Sequence, residues 1–195
     1  MKVTKPKIHG LILAGGYSKR MGQDKALLEF HGMPQIEYVH QLLKKFCPKV
    51  FLSKRIDQET YKDFDSINDK VEFHNHGPLG GILSAMKEYP EDDWLIVACD
   101  LPFITEETIQ NLVDQRNPEC LATAYISTSD GLPEPLCSIW EGHGYGSILN
   151  LYKEGIHCPR KILIKNKVQL IKQLNPHWLD NVNTPEEYAL VKNSF

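Results

Sequence analysis

Short, unbroken apolar runs alternate along this chain with stretches in which apolar residues recur at helical spacing. Ile8 to Leu13 is the first run, and it meets Ala14-Gly15-Gly16. That pattern predicts a buried strand ending in a glycine-rich loop. Pro34 to Phe46 then carries Ile36, Val39, Leu42, Leu43 and Phe46 at helical spacing, with Pro34 suited to the first turn. Lys49 to Leu52 reads as a second strand and Val71 to Phe73 as a third, ahead of a loop Gly77-Pro78-Leu79-Gly80-Gly81 and a helix over Ile82 to Tyr89. Trp94 to Cys99 is an apolar strand closed by Asp100. Thr105 caps a helix reaching about Arg116, with Glu106 and Glu107 in its first turn. Leu121 to Ile126 and Leu136 to Trp140 are later strands. Thr184 with Pro185 opens a last helix. Uniformly apolar strands alternating with helices predict an α/β fold, a mostly parallel central sheet flanked by helices.

Ligands in such sheets bind beyond the carboxyl ends of the strands. Three marked loops follow three of the strands: 14–25, 74–81 and 100–103. All three are expected at one edge.

Composition narrows the function. The chain has 195 residues, of which 42% are hydrophobic and 24% charged, with 22 basic against 25 acidic side chains. These values fit a globular domain and argue against wholesale disorder. The net charge of −3 gives no global attraction to nucleic acid or to an anionic membrane. No apolar run approaches the roughly 20 residues of a membrane span, and the run behind the basic N-terminus is shorter than a secretory leader requires. The five cysteines are odd in number and lack C-x-x-C spacing, which points to reduced thiols and a cytoplasmic setting.

The chemistry lies in the loops. Ala14 to Lys25 combines glycines, which turn the backbone tightly and aim N–H groups at an anion, with Lys19, Arg20 and Lys25. Arginine offers phosphate a planar fork and lysine a mobile point charge, so the loop suits a triphosphate. It is neither a Walker A motif nor G-x-G-x-x-G. Asp100, at the end of an apolar strand, is placed to hold Mg²⁺, which takes one or two carboxylates together with substrate phosphates. Asn181 and Asn183 flank Val182 and present two amide oxygens to one side. Each feature also has a plainer reading: a solvated turn, a turn cap before Pro102, and helix capping. His74 and His76 as a metal pair, Gly142 to Gly146 as a phosphate loop, and Cys99 as a nucleophile all lack the spacing or partners those roles need.

Four segments occur in order from residue 13 to 187: L-A-G-G-x-S-x-R-M-G-x-D-K-A, G-P-L-G-G-I, C-D-L-P-F and N-V-N-T-P-E-E. Together they resemble the molybdenum cofactor guanylyltransferases (MobA-type) of the nucleotidyltransferase superfamily. The resemblance implies a Rossmann-like, GT-A-like fold in a single domain, with a nucleotide half over about 1–105 and an acceptor half over about 106–195. It implies a Mg²⁺-dependent transfer of GMP from GTP to the phosphate of molybdopterin, with release of pyrophosphate. Candidate partners are molybdenum-insertion and cofactor-delivery proteins. Leu13, Ala14, Gly15 and Gly16 match the nucleotide loop, Arg20 and Lys25 the phosphate-holding catalytic cations, and Asp100 the magnesium ligand. Asn181 and Asn183 match a late asparagine pair lining the site, and Arg160 is expected on the acceptor side. Two departures bear on the base. The family carries an Asp before Gly-Pro-Leu, whereas Val71 to His76 has none, which leaves Asn75 as the substitute. A family Asn after the second strand is Ser53 here. Alternatives are cytidylyl transfer, transfer to a sugar or polyol phosphate, and an inactive nucleotide-binding regulator.

Overall fold

A computed structural model describes residues 7–14, 25–55 and 63–192; of Lys25 it describes the backbone alone. The strands are β1 (Ile8–Leu13), β2 (Val50–Lys54), β3 (Ser66–Asn68), β4 (Asp93–Ala98), β5 (Ala122–Ile126), β6 (Pro133–Trp140) and β7 (Val168–Ile171). The helices are α1 (Gln35–Leu43), α2 (Pro78–Glu88), α3 (Glu106–Asp114), α4 (Tyr145–Lys153), α5 (Pro159–Ile164) and α6 (Pro185–Val191). Among the described residues one sheet runs in the order β3-β2-β1-β4-β6-β5-β7. Every neighbouring pair is parallel except those made by β6, which runs against both β4 and β5. The mostly parallel α/β reading therefore holds, with one reversed strand.

Burial explains the central strands. Leu11, Ile12, Leu95, Ile96 and Val97 are fully buried, which is why β1 and β4 carry no polar alternation. Gly10 and Leu13 lie three residues apart on β1, hence on opposite faces. A Cβ on Gly10 would meet Leu43 of α1 at 3.2 Å, whereas Leu13 sits against Gly81 of α2. The two helices thus cover opposite faces of the sheet.

Two expectations need correction. Val71 to Phe73 is a 3₁₀ turn rather than a strand, with the Phe73 N–H donating to the Lys70 carbonyl at 2.8 Å and Val71 left 83% exposed. The third strand is Ser66–Asn68, whose single apolar residue, Ile67, leaves little pattern to read. The segment 78–81 is not a loop but the opening turn of α2, with Pro78 at its first position. Its glycines serve close packing. A Cβ on Gly80 would lie 2.4 Å from the Phe73 carbonyl oxygen, and one on Gly81 would lie 2.2 Å from Ser53 Oγ. Thr105 caps α3 and Thr184 caps α6, each in a capping box, as the sequence predicts.

Candidate active site

Because β1 to β4 are mutually parallel, their carboxyl ends share one edge. Leu13 pairs with Ala98, and the Cys99 N–H donates to the Leu13 carbonyl at 3.3 Å. The first loop and Asp100 therefore leave the sheet side by side. Leu13 and Ala14 are buried there. Gly15, Gly16, Arg20 and the Lys25 side chain lie outside the described residues. The chain re-enters as a 3₁₀ turn over Lys25–Leu27. Leu28 and Phe30 then pack with Val182, and the Tyr188 hydroxyl donates to the Glu29 carbonyl at 3.2 Å. The end of the basic loop is thereby tied to the segment carrying Asn181 and Asn183.

That segment also returns to Asp100, whose carbonyl accepts the Val182 N–H at 3.1 Å. Val182 is buried while Asn181 is exposed, the split that the alternation predicts. The stretch after Asp100 is held by α1 and the residues before it. Gln35 donates to the Leu101 carbonyl at 3.0 Å, a His31 ring nitrogen lies 2.8 Å from the Pro102 carbonyl, and the Tyr38 hydroxyl donates to that of Ile104 at 2.9 Å. These fixed contacts aim the strand end instead of leaving it as a mobile turn.

Beyond Asp100 opens a cavity of about 680 Å³. Asp100, Asn181 and Arg160 all line it, so three predicted residues from distant parts of the chain meet there. Its far wall is the β5–β6 turn at Ser127 to Ser129, together with Gln173 beyond β7. Arg160 is fixed by two carboxylates, donating to Asp130 and to Glu134 at 2.8 Å each. The cavity volume lies within the range that small-molecule ligands occupy.

On the other side of β1 stands a residue that the sequence pattern does not single out. Asp69 follows β3 immediately and is buried, and it is paired to the β2 side by a hydrogen bond with Ser53. Its Oδ1 takes no hydrogen bond among the described residues. Burial pushes its carboxyl up to about 6, against the opposing pull of His74, Arg55 and the Ser53 hydrogen bond. Asn75, by contrast, is exposed and holds a left-handed backbone (φ 64°) in the turn before α2. An Asp does precede Gly77-Pro78-Leu79, then, but upstream of the 3₁₀ turn and so outside Val71–His76. Its signal is its place at the end of a strand.

Oxygen donors dominate where Asp100 meets the Asn181–Asn183 segment. Among the described residues no cluster of three or more His, Cys, Asp or Glu side chains is placed to hold a metal. One carboxylate with amide oxygens nearby fits a hard cation that keeps its waters and binds substrate phosphate, which is the manner of Mg²⁺. None of the helices among the described residues is long and apolar enough to cross a membrane.

The family model for the MobA-like NTP transferase domain matches residues 10–170. A Synechocystis protein named molybdenum cofactor biosynthesis bifunctional protein is 37% identical over 190 residues, which cover 97% of this chain but only 55% of that protein. The chain thus spans about half the length of that relative. A Bacillus cereus protein described as a probable molybdenum cofactor guanylyltransferase is 31% identical over 189 residues, 92% of this chain and 93% of its own. Among solved structures, molybdopterin-guanine dinucleotide biosynthesis protein A from Archaeoglobus fulgidus superposes with a TM-score of 0.76 at 20% identity, covering 95% of this chain and 97% of that one. A CMP:2-keto-3-deoxy-manno-octonic acid synthetase superposes at 0.67 with 14% identity, covering 97% and 100%. At these identities the structural likeness is one of fold, that of nucleotidyltransferases of the GT-A-like type.

Proposed function

The chain belongs to the MobA-like NTP transferase family, a family of nucleotidyltransferases, and from that premise we propose that it transfers GMP from GTP to the phosphate of molybdopterin and releases pyrophosphate. The observation that carries this reading is the convergence of Asp100, Asn181 and Arg160 on one cavity, beside the strand that feeds the basic loop. We assign residues 1–195 to a single domain, with the nucleotide half to about residue 105 and the acceptor half after it.

The attacking oxygen belongs to a substrate phosphate, anionic at neutral pH, so no protein base or nucleophile is required. The protein's task is to bring two repelling phosphates into line and neutralise their charge. In this reading Arg20 and Lys25 hold the triphosphate, with the backbone of Leu13 to Gly16 around the nucleotide. Asp69 and Ser53 accept hydrogen bonds from the nucleoside, Asp69 taking the place foreseen for Asn75. Asp100 holds Mg²⁺, with Asn181 and Asn183 beside it. When bound, that ion supplies positive charge to the transferring phosphate. Arg160, pinned by Asp130 and Glu134, is the acceptor side's fixed cation. GTP and molybdopterin are the substrates, and the proteins that insert molybdenum and collect the cofactor are the expected partners in a cytoplasmic setting.

The test is incubation with Mg²⁺, molybdopterin and each of the four NTPs, followed by identification of the dinucleotide product. The guanine dinucleotide is expected. Preference for CTP, or no product with any NTP, would overturn the assignment.

A further inference from the structure

His74 and His76 stand together in the sequence, and the structure separates them. His74 has its Nδ1 buried, while His76 turns to His157, in the loop between α4 and α5. The two imidazole rings lie 4.0 Å apart between centroids and at 66° to each other. Tyr152 of α4 stands against both, 5.1 Å from His76 and 4.9 Å from His157. That tyrosine is anchored. Its hydroxyl donates to the Glu72 carbonyl at 2.7 Å, and its ring packs edge-on to the buried Phe73. The turns that carry the histidines are set by left-handed residues, Asn75 (φ 64°) and Gly77 (φ 58°) on either side of His76 and Gly155 (φ 89°) just before His157.

The chemistry of this pair is that of ligands. Among the described residues neither ring has a hydrogen-bond or ion-pair partner, so their nitrogens are open to an incoming group. Burial and the charge of His157 hold His76 below the ordinary histidine pKa, which leaves its ring neutral at neutral pH. Neutral imidazole selects zinc, copper or nickel, whereas magnesium takes oxygen. Zinc binds imidazole nitrogen at about 2.0–2.1 Å, so two nitrogens sharing one tetrahedral ion stand roughly 3.4 Å apart. Rings already in contact reach that separation by turning about their side-chain torsions, and His157 is exposed.

We propose that His76 and His157 form a binding site for a divalent transition-metal ion of the zinc class, completed by water and separate from the position assigned to Mg²⁺ at Asp100. Pro78, two residues beyond His76, and Cys158, next to His157, both line the cavity. An ion at the pair therefore clasps the segment that opens α2 to the one that opens α5, two parts of the cavity wall that are distant in the chain.

The experiment is a calorimetric titration with Zn²⁺ in excess Mg²⁺, which fills the oxygen sites. Every protein tested carries Cys158→Ser, because Cys158 is the one exposed thiol. One saturable ion per chain is expected. His76→Ala and His157→Ala should each weaken it by at least about tenfold, the least that loss of a direct ligand costs. The double variant should lose no more than the weaker-binding single one, since the two rings share one ion. His177→Ala removes an exposed histidine paired with Asp180 and should leave the affinity unchanged. Zn²⁺ should also raise the melting temperature of the histidine-intact protein and not of either histidine variant, while the zinc-free melting temperatures stay alike. Absence of a saturable ion, unchanged affinity in either single variant, or additive losses in the double variant would each overturn the site. So would loss of the ion in His177→Ala.

Discussion

The two sides of β4 are built on different principles. On the nucleotide side of the proposed reading, α2 packs its buried Leu79, Ile82 and Leu83 onto β1 to β3, and Gly80 and Gly81 bring its first turn onto Phe73 and Ser53. The carboxylate standing there, Asp69, is buried, and burial holds its pKa near 6. On the acceptor side, the reversed strand β6 and the turn before it open the sheet edge into a cavity, and the charges there are paired. In the proposed reading, close packing holds the nucleotide by backbone and shape, and the cavity receives the acceptor.

The largest effect is expected where the two sides meet, at Asp100 and Lys25. Asp100→Ala and Lys25→Ala should each lower transfer by at least about 10²-fold, the scale on which loss of one group stabilising transition-state charge is felt. Circular dichroism and melting should show both variants folded, and near-normal turnover in either would contradict the site.

Glycine substitutions set the tight packing of α2 against the open surface of α4. Gly80→Ala forces a Cβ to 2.4 Å from a backbone oxygen and should cost about 1–3 kcal/mol in denaturant unfolding. Gly146→Ala, in exposed α4 with nothing within 4 Å of the new methyl, should instead stabilise by up to about 1 kcal/mol. Equal effects of the same sign would remove the contrast.

Asp69 makes the contrast depend on pH. The folded-state pKa lies near 6 against an ordinary 3.8, so the folded protein holds this proton more firmly than the unfolded chain does. The associated stability is present below about pH 4 and lost as pH rises through 6. Asp69→Asn should therefore melt like wild type at pH 4 and gain about 1–2 kcal/mol over it at pH 7.5. The same variant should raise the KM for GTP while leaving that for the acceptor unchanged, and wild-type GTP affinity should fall as pH drops through 6. A KM shift confined to the acceptor would place Asp69 on the wrong side of the seam.

Legibility in the sequence followed the density of the pattern. β1, β4, α3 and α6 are readable because continuous burial or a capping threonine marks them within a few residues. Ser66–Asn68 is a strand only because β2 pairs with it. The reversal of β6 is also invisible in an apolar run. Glycines 80 and 81 read as a loop because a helix packed this closely needs the residues that loops favour. Of the candidate residues that line the cavity, Asp100 and Asn181 stand out in the sequence through a strand end and a motif, and Arg160 only through the family resemblance. Asp69 was hidden by the 3₁₀ turn behind it. Gln173 and Ser127 come together only through the pairing of β5 with β7.

In the proposed reaction the two sides act on one phosphate at Asp100, and pyrophosphate release from GTP and Mg²⁺, measured with and without molybdopterin, is the deciding measurement. Release that depends on molybdopterin and matches the dinucleotide formed is the expected result. Release at the same rate without an acceptor, or none in its presence, would contradict it.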